Sequence, residues 1–158
     1  MKTSDRRVNR RSFLAAGSIG AMASVALPRE AAAIQLSTEE QANLTAVNDF
    51  CAAFAMPLEW DTIASFLSAD CKYRASQDIP MVEGPEAIVG LLKGFLGNAT
   101  SVEFEMLDTW ARGPVVVNDR VDRFVMPTGT VEFPVVGIFY MVDGKIVEWT
   151  DYVFETAP

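Results

Sequence analysis

The sequence predicts an α+β domain in which three helices pack on one face of a curved antiparallel sheet. Apolar residues recur at helical spacing between residues 38 and 97. From Thr100 onward the chain is rich in β-branched and aromatic residues, which are separated by turn sequences. Helices followed by a run of strands are typical of the α+β class. Residues 34–158 are sufficient for one hydrophobic core, so we expect a single domain there.

A capping box begins the first helix. Ser37 is placed to cap the helix, and Glu40 follows three residues later to bond back to it. Apolar residues at helical spacing extend this helix over residues 38–54: Leu44, Val47, Phe50, Cys51 and Phe54.

A second helix, a brief strand and a third helix follow. The second helix lies after Pro57 and is indicated by four apolar residues: Trp60, Ile63, Ala64 and Leu67. The brief strand is expected over residues 71–75. Gly84 and Pro85 begin the third helix, because Pro is favoured at the first helical position, and Gly97 ends it.

Four long strands complete the predicted domain. Their expected bounds are 101–111, 114–126, 131–142 and 145–155. Asp143-Gly144 is a strong signal for a two-residue hairpin turn. Because short turns separate these strands, we expect an antiparallel meander.

The first 33 residues have the pattern of an export signal. A basic start contains the twin-arginine sequence Arg10-Arg11-Ser12-Phe13-Leu14, and Ala31-Ala32-Ala33 supplies small residues for cleavage. The apolar stretch between them, residues 15–27, is too short to span a bilayer. We expect transport by the twin-arginine machinery to the periplasm or beyond, with no stable membrane insertion after cleavage. An uncleaved membrane anchor is the alternative.

The composition excludes several classes of function. The net charge is −8, and residues 1–33 carry six basic and two acidic residues, so the mature domain would be about −12. Such a domain repels nucleic acid and anionic lipid, which favours a small neutral or cationic ligand. The chain has no histidine, so acid–base chemistry rests on carboxylates. The sequence contains no metal-ligand cluster or nucleotide-binding loop, and we expect no cofactor.

The two cysteines leave two possibilities open. In an oxidising compartment Cys51 and Cys71 would close a loop of about 20 residues, a disulfide worth about 3 kcal/mol. Two buried free thiols fit the sequence equally well. Neither cysteine has the local partners that a nucleophile needs.

Charged residues interrupt the apolar pattern of two predicted strands. Alternation places Arg120 and Asp122 on one face of the second long strand, and Asn118 shares that face. Asp151 lies on the last strand, on the same face as Trp149. Charged residues on a buried face are rarely tolerated unless they are paired. We therefore expect a functional site where these strands meet.

The spacing of the turns predicts how close the two aspartates are. Asp122 is expected opposite Val135 and Asp151 near Val136, about 10 Å of backbone apart at about 4.8 Å per strand step. Arg120 can bridge them, because a guanidinium is a planar fork that binds two carboxylates at once. Burial and the arginine would then separate the two pKa values, which gives one acid and one base. The alternative is a buried salt-bridge network without chemistry.

An apolar ligand cavity is expected beside these charges. Phe124, Phe133, Val135 and Val153 share the inward parity of the strands. The helices would cap the cavity with four further apolar residues: Met56, Leu91, Leu92 and Phe95. The alternative is that these side chains simply fill the core, which would leave the two aspartates in a poor environment.

Several motifs together resemble the limonene-1,2-epoxide hydrolase family. They are Arg120-Val121-Asp122, Pro127-Thr128-Gly129, Gly137-Ile138-Phe139, Asp143-Gly144-Lys145-Ile146 and Trp149-Thr150-Asp151-Tyr152. The similarity is strongest over residues 115–154, and the helix order and Gly84 extend it from about residue 38. The family belongs to the cone-shaped α+β folds that include nuclear transport factor 2 and ketosteroid isomerase.

The resemblance implies a one-step epoxide opening and a role for each charged residue. Asp151 would be the general base that deprotonates water, Asp122 the acid that protonates the epoxide oxygen, and Arg120 the bridge between them. Tyr73 matches the family tyrosine that holds the water. The family asparagine two residues later is replaced by Ala75.

Three residues are candidates to replace that asparagine: Ser76, Gln77 and Asn118. The resemblance also implies a homodimer. Three functions remain open: an epoxide hydrolase acting on a small hydrophobic substrate, an isomerase or cyclase acting next to a carbonyl, and a non-catalytic binding or dimerisation module.

Overall fold

The computed structural model describes residues 35–154 of the chain. The predicted export signal, residues 1–33, lies outside the described residues. In the described range, no helix combines the length and the apolar character needed to cross a membrane.

Helices and strands follow the predicted order. The helices are α1 (Thr38–Ala52), α2 (Trp60–Ser65) and α3 (Pro85–Leu96). The strands are β1 (Leu67–Arg74), β2 (Val82–Glu83), β3 (Ser101–Arg112), β4 (Val115–Met126), β5 (Gly129–Val142) and β6 (Lys145–Val153). The two-residue strand β2, which pairs antiparallel with β1, was not predicted.

The strands form one curved, open sheet in the order β2-β1-β6-β5-β4-β3. Strands β3 to β6 pair antiparallel with their chain neighbours, as the turn sequences predict. Strand β1 differs from the predicted antiparallel arrangement, because it runs parallel to β6. No hairpin fixes the direction of β1, since helix α3 and three long strands separate it from β6. The sheet is therefore mixed, and the α+β fold class is confirmed.

The boundary between α2 and β1 differs from the prediction. Leu67 was assigned to the helix, but α2 ends at Ser65 and Leu67 begins β1, where it pairs with Ile146 of β6. The backbone N–H of Ile146 donates to the carbonyl of Phe66 at 2.9 Å. Leu67 fits both patterns, because it lies four residues after Ile63, and pairing with β6 decides between them.

An aromatic cluster joins helix α1 to the inner face of the sheet. The ring of Phe50 meets those of Phe54, Phe139 and Trp149 edge-on, at centroid distances of 5.3, 6.0 and 5.0 Å. All four side chains are buried. Truncating a buried aromatic residue to alanine typically costs about 3–5 kcal/mol, so this cluster is a main stabilising contact between the layers.

A carboxylate ties the start of α1 to the turn between β3 and β4. Glu40 completes the predicted capping box, since Ser37 N–H donates to its Oε2 at 2.8 Å and Glu40 N–H donates to Ser37 Oγ at 3.1 Å. Its Oε1 accepts from Gly113 N–H at 2.8 Å, and Asn43 Nδ2 donates to Gly113 O at 3.2 Å. The backbone N–H groups of Gly113 and Ser37 lower the pKa of Glu40 below its usual 4.5.

We expect Glu40→Gln to lower the melting temperature at pH 7, because a carboxylate accepts backbone N–H groups more strongly than an amide oxygen does. A carboxyl group whose pKa is lowered by folding stabilises the folded state above its unfolded pKa. That contribution is lost as the pH falls through the lower folded value. Thermal unfolding of wild type and variant at pH 7 and pH 3 measures this, and the difference should shrink at pH 3.

The matched control is Glu39→Gln, which changes an exposed carboxylate in the same helical turn. Equal destabilisation by the two variants at pH 7 would contradict a specific role for Glu40.

Candidate active site

Strand β4 carries the buried polar residues on its inner face. Asn118, Arg120 and Asp122 are buried, whereas Asp119, on the other face, is exposed. Asp151 is buried on β6. The structure thus brings the four residues that interrupt the apolar pattern into one cluster beneath the helices.

The guanidinium of Arg120 is the centre of this cluster. Its Nε and Nη2 bind the two oxygens of Asp122 at 2.7 and 3.1 Å. The same Nη2 lies 3.0 Å from Asp151 Oδ1, and Nη1 donates to Asn118 Oδ1 at 2.9 Å. The Cζ atom lies 5.0 Å from the centre of the Phe104 ring. One side chain therefore orients both carboxylates.

The strand register differs from the predicted one. The residues predicted to lie opposite Asp122 and Asp151 on β5 were therefore wrong. Asp122 lies opposite Phe133, not Val135, because the turn from β4 to β5 is tighter than assumed and pairs Met126 with Gly129. Asp151 lies opposite Gly137, because an irregularity between Tyr140 and Met141 shifts β6 by one residue. The two carboxylates are thus offset by four positions along β5. Arg120 lies opposite Val135, between them, and spans the offset.

Three donors surround the carboxylate of Asp151. Trp149 Nε1 and Arg120 Nη2 bind Oδ1 at 2.8 and 3.0 Å, and the Tyr73 hydroxyl donates to Oδ2 at 3.3 Å. The rings of Tyr73 and Trp149 stack at a centroid distance of 3.7 Å. The donation by Trp149 was not predicted, although the two-residue spacing from Asp151 places both side chains on one face.

Burial raises the pKa of both aspartates. The pKa of Asp122 is raised to about 6 by burial and, to a smaller extent, by the charge of Asp151, while Arg120 opposes the shift. The pKa of Asp151 is also raised by burial, with Arg120 and the hydrogen bonds from Trp149 and Tyr73 opposing it. The pKa of Tyr73 is raised well above 10, so its hydroxyl keeps its proton. The pair of carboxylates can therefore hold one proton near neutral pH.

The two carboxylates face an apolar cavity of about 430 Å³. The five residues expected to bind substrate all lie on its wall: Phe124, Phe133, Val135, Val153 and Leu92. Phe95 also lines it. Two of the predicted capping residues do not: Met56 is 44% exposed, and Leu91 packs against the core. The side chains of the cavity wall are apolar apart from these carboxylates, the hydroxyl groups of Tyr73 and Ser76, and the indole N–H of Trp149.

The three candidates for the missing asparagine differ in their contacts. Gln77 is occupied, because its Nε2 donates to Val153 O at 2.9 Å and its Oε1 accepts from Val153 N–H at 3.1 Å. The side-chain oxygen of Asn118 is also engaged, because it accepts a hydrogen bond from Arg120 Nη1. Ser76 lines the cavity beside Ala75, and its hydroxyl makes no hydrogen bond within residues 35–154.

The cysteines are free, buried thiols, which is the second of the two possibilities left open. Burial raises the pKa of Cys51 and of Cys71 to about 12, so neither is a thiolate at neutral pH. Among the described residues, no three His, Cys, Asp or Glu side chains form a group that could hold a metal ion.

A curved sheet with helices on one face, and a buried Asp-Arg-Asp group beside an apolar cavity, define the class of nuclear transport factor 2-like proteins with an internal site. The family model of the limonene-1,2-epoxide hydrolase catalytic domain matches residues 41–156. The chain belongs to this family.

Solved structures support the same fold. An LEH-like epoxide hydrolase of M. tuberculosis is 27% identical, with 73% of this chain and 85% of that chain covered and a TM-score of 0.65. A candidate SnoaL-like polyketide cyclase from Jannaschia sp. CCS1 is 18% identical, with 77% and 91% covered and a TM-score of 0.69. A protein with a ketosteroid isomerase-like fold from Catenulispora acidiphila is 16% identical, with 68% and 83% covered and a TM-score of 0.61. At these identities the last two show the fold alone. A search of curated proteins found no match.

We expect the carboxyl carbon of Asp122 to titrate near pH 6 in a carbon-13 NMR experiment, since burial raises its pKa to about that value. The signal is assigned by its loss in Asp122→Asn. In Asp151→Asn the titration should move to lower pH, because the charge of Asp151 raises the pKa of Asp122.

Asp119→Asn is the matched control, because Asp119 is exposed on the opposite face of the same strand. This variant should leave the transition near pH 6 in place. A signal of Asp122 that titrates at or below pH 4 would contradict the conclusion that burial raises the pKa of Asp122.

Proposed function

We propose that the protein is an epoxide hydrolase that opens a small, largely apolar epoxide to a vicinal diol in one step. The observation that carries this proposal is the unequal surroundings of two carboxylates that share one arginine and face one apolar cavity. No cofactor is needed for this chemistry, because the acid, the base and the water are sufficient.

Asp151 is the general base. Its three hydrogen-bond partners among the described residues, Trp149, Arg120 and Tyr73, are donors, so the ionised form satisfies all of them. Three donors stabilise the ionised form of Asp151, and the carboxylate keeps an acceptor position that can take a proton from water. The Tyr73 hydroxyl can accept a hydrogen bond from a water molecule in the cavity while it donates to Asp151. Asp151 then removes a proton from that water as its oxygen attacks the epoxide carbon.

Asp122 is the general acid. With a pKa of about 6 it is about half protonated at pH 6 and about one tenth protonated at pH 7, and it lies on the cavity wall. As the epoxide C–O bond breaks, the proton of Asp122 passes to the leaving oxygen, so no free alkoxide forms. One C–O bond forms and one breaks, and the diol leaves with Asp151 protonated and Asp122 ionised. Transfer of one proton between the two carboxylates, by way of water in the cavity, restores the starting state.

Arg120 holds the two carboxylates in place and remains charged throughout. Burial disfavours its charge, but the adjacent Asp151 and Asp122 raise the pKa of Arg120 above its usual value. The apolar cavity wall excludes bulk water and so strengthens these electrostatic interactions. It also favours a substrate without charged groups.

The second candidate function is an isomerase or cyclase that moves a proton next to a carbonyl group. The similarity in fold to a candidate polyketide cyclase favours it, although at 18% identity. One carboxylate beside an apolar cavity is sufficient for that reaction, whereas the donor-surrounded Asp151 and the proton-carrying Asp122 suit a reaction that needs a base and an acid together.

We expect the protein to convert cyclic or aryl epoxides to diols that carry one oxygen-18 atom when the reaction is run in oxygen-18 water. Asp151→Asn and Asp122→Asn should each lower kcat by about 10²–10⁴-fold, because each removes one partner of the acid–base pair. The rate of the wild type should fall as the pH rises above about 6, since Asp122 loses its proton. Mass spectrometry of the products measures this.

Asp119→Asn, on the exposed face of β4, should keep the wild-type rate. A product without the heavy oxygen would favour the isomerase or cyclase. A folded protein that converts neither epoxides nor carbonyl compounds would favour the binding module.

We propose that Ser76 replaces the missing asparagine as the second group that holds the water. Ser76→Ala should lower kcat by about 10–100-fold, because a poorly oriented nucleophile costs up to two orders of magnitude in rate. Steady-state kinetics on the best epoxide measure the effect. Ser101→Ala, at an exposed position, is the control. An unchanged kcat for Ser76→Ala would mean that Tyr73 and Asp151 orient the water without it.

A further inference from the structure

Asn118 lies directly behind the Asp-Arg-Asp group and has no part in the reaction as proposed. It is fully buried, and it is not among the residues that line the cavity in the described part of the chain. It therefore does not touch a ligand in that cavity. Its two polar atoms are both engaged, Oδ1 by Arg120 Nη1 at 2.9 Å and Nδ2 by Cys51 Sγ at 3.4 Å.

We infer that Asn118 is a positioning residue that fixes the plane of the Arg120 guanidinium, and that Gly137 provides the space in which the two side chains meet. The geometry of the hydrogen bonds carries the first part of this inference, and the packing at Gly137 carries the second.

The guanidinium is rigid and planar, so its plane is fixed only when all three of its nitrogens are held. Arg120 binds Asp122 through Nε and Nη2, and a fork held at one edge can still tilt about that edge. The bond from Nη1 to Asn118 holds the opposite corner. A tilt about the Asp122 edge would turn the N–H bonds of Nε and Nη2 out of line with Asp122, and would also turn the Nη2 donor away from Asp151 Oδ1, which lies 3.0 Å from it. Without Asn118, Nη1 would be a buried donor that has lost its acceptor, which is costly for a charged group.

The orientation of Asn118 is determined at both ends. Arg120 offers only donors, so the amide must present its oxygen to it. The amide nitrogen then points to Cys51 on helix α1, whose sulfur accepts a weak hydrogen bond. A neutral amide also supplies an acceptor without a third negative charge in the cluster.

Gly137 lies in the same cross-strand row, between Asn118 on β4 and Asp151 on β6. A Cβ atom at this position would overlap Arg120 Nη1 and lie 2.6 Å from Asn118 Oδ1. The backbone of Gly137 is not in the left-handed region, so the requirement is for space and not for backbone freedom. The absent side chain lets the guanidinium extend across β5 to Asp151.

The test is a comparison of two variants that disturb this contact from opposite sides. Asn118→Leu removes the acceptor but keeps the branched shape and the number of side-chain heavy atoms, and Gly137→Ala inserts a methyl group into the contact while keeping Asn118. The matched control for the glycine change is Gly90→Ala, because a Cβ on Gly90 meets nothing within 4 Å. Circular dichroism establishes that each protein is folded.

The first readout does not require enzymatic activity. Arg120 lowers the pKa of Asp122, so a misplaced guanidinium should raise the pKa of Asp122 in both variants by about one unit. Carbon-13 titration of the full protein measures the shift. The other titratable groups facing Arg120 are Asp151 on β6, Tyr73 on β1 and Cys51 on α1, and none of them is changed. Gly90→Ala should titrate as wild type does.

The second readout rests on the proposed function. In both variants kcat for the epoxide should fall by about 10²-fold while KM stays within about twofold, because the contacts to substrate are unchanged. An inactive wild type would remove the proposed function but leave the titration experiment valid.

Unchanged titration of Asp122 in folded Asn118→Leu and Gly137→Ala would overturn the inference and reduce Asn118 to a packing residue. If neither variant folds, the inference is tested with Cys51→Ala. This change removes the acceptor of Asn118 Nδ2 on helix α1 and leaves the residues of β4 and β5 unchanged. A shift of Asp122 in the same direction, though smaller, is then expected, and no shift would overturn the inference.

Discussion

The buried guanidinium of Arg120 is the interaction on which the site depends. Moving an ion out of water costs several kcal/mol even after the protein relaxes, and here one cation and two carboxyl groups lie beneath the helices. With both carboxylates ionised the group would carry a net charge of −1. Binding one proton neutralises it. The acid–base pair thus follows from the charge balance of a buried group, because two carboxylates share a single cation.

The fold supplies the rigidity that such a group needs. Arg120 and Asp122 are on β4 and Asp151 is on β6, so the central strand β5 separates the two halves of the cluster. Side chains on strands are positioned more precisely than side chains on loops. The aromatic cluster around Phe50 and Trp149 fixes the layer beneath, and Trp149 also donates directly to Asp151. Trp149 therefore both packs in the core and orients the carboxylate of Asp151.

Much of this arrangement could be predicted from local sequence patterns, and the rest depended on pairing between strands. Arg120, Asp122 and Asp151 were recognisable because each places charge where alternation requires an apolar residue. The register was not, because one tight turn and one irregularity in the pairing of β5 with β6 moved Asp122 and Asp151 in ways that counting could not reveal. The contribution of Gly137 depends on that register. A glycine inside a strand was the available signal, and it indicates a close approach without naming the partner.

A salt-bridge network without chemistry is the alternative to the proposed reaction. A network that serves stability is expected to be neutral and closed, since buried ion pairs contribute little net stability even when complete. This one holds two carboxylates to one cation and opens on a cavity of about 430 Å³ with an apolar wall. Its two acids also differ, because donors surround Asp151 while Asp122 has Arg120 on one side and the cavity on the other. An excess carboxylate beside an open apolar space lowers stability, and a reaction that consumes its proton gives a reason for its presence.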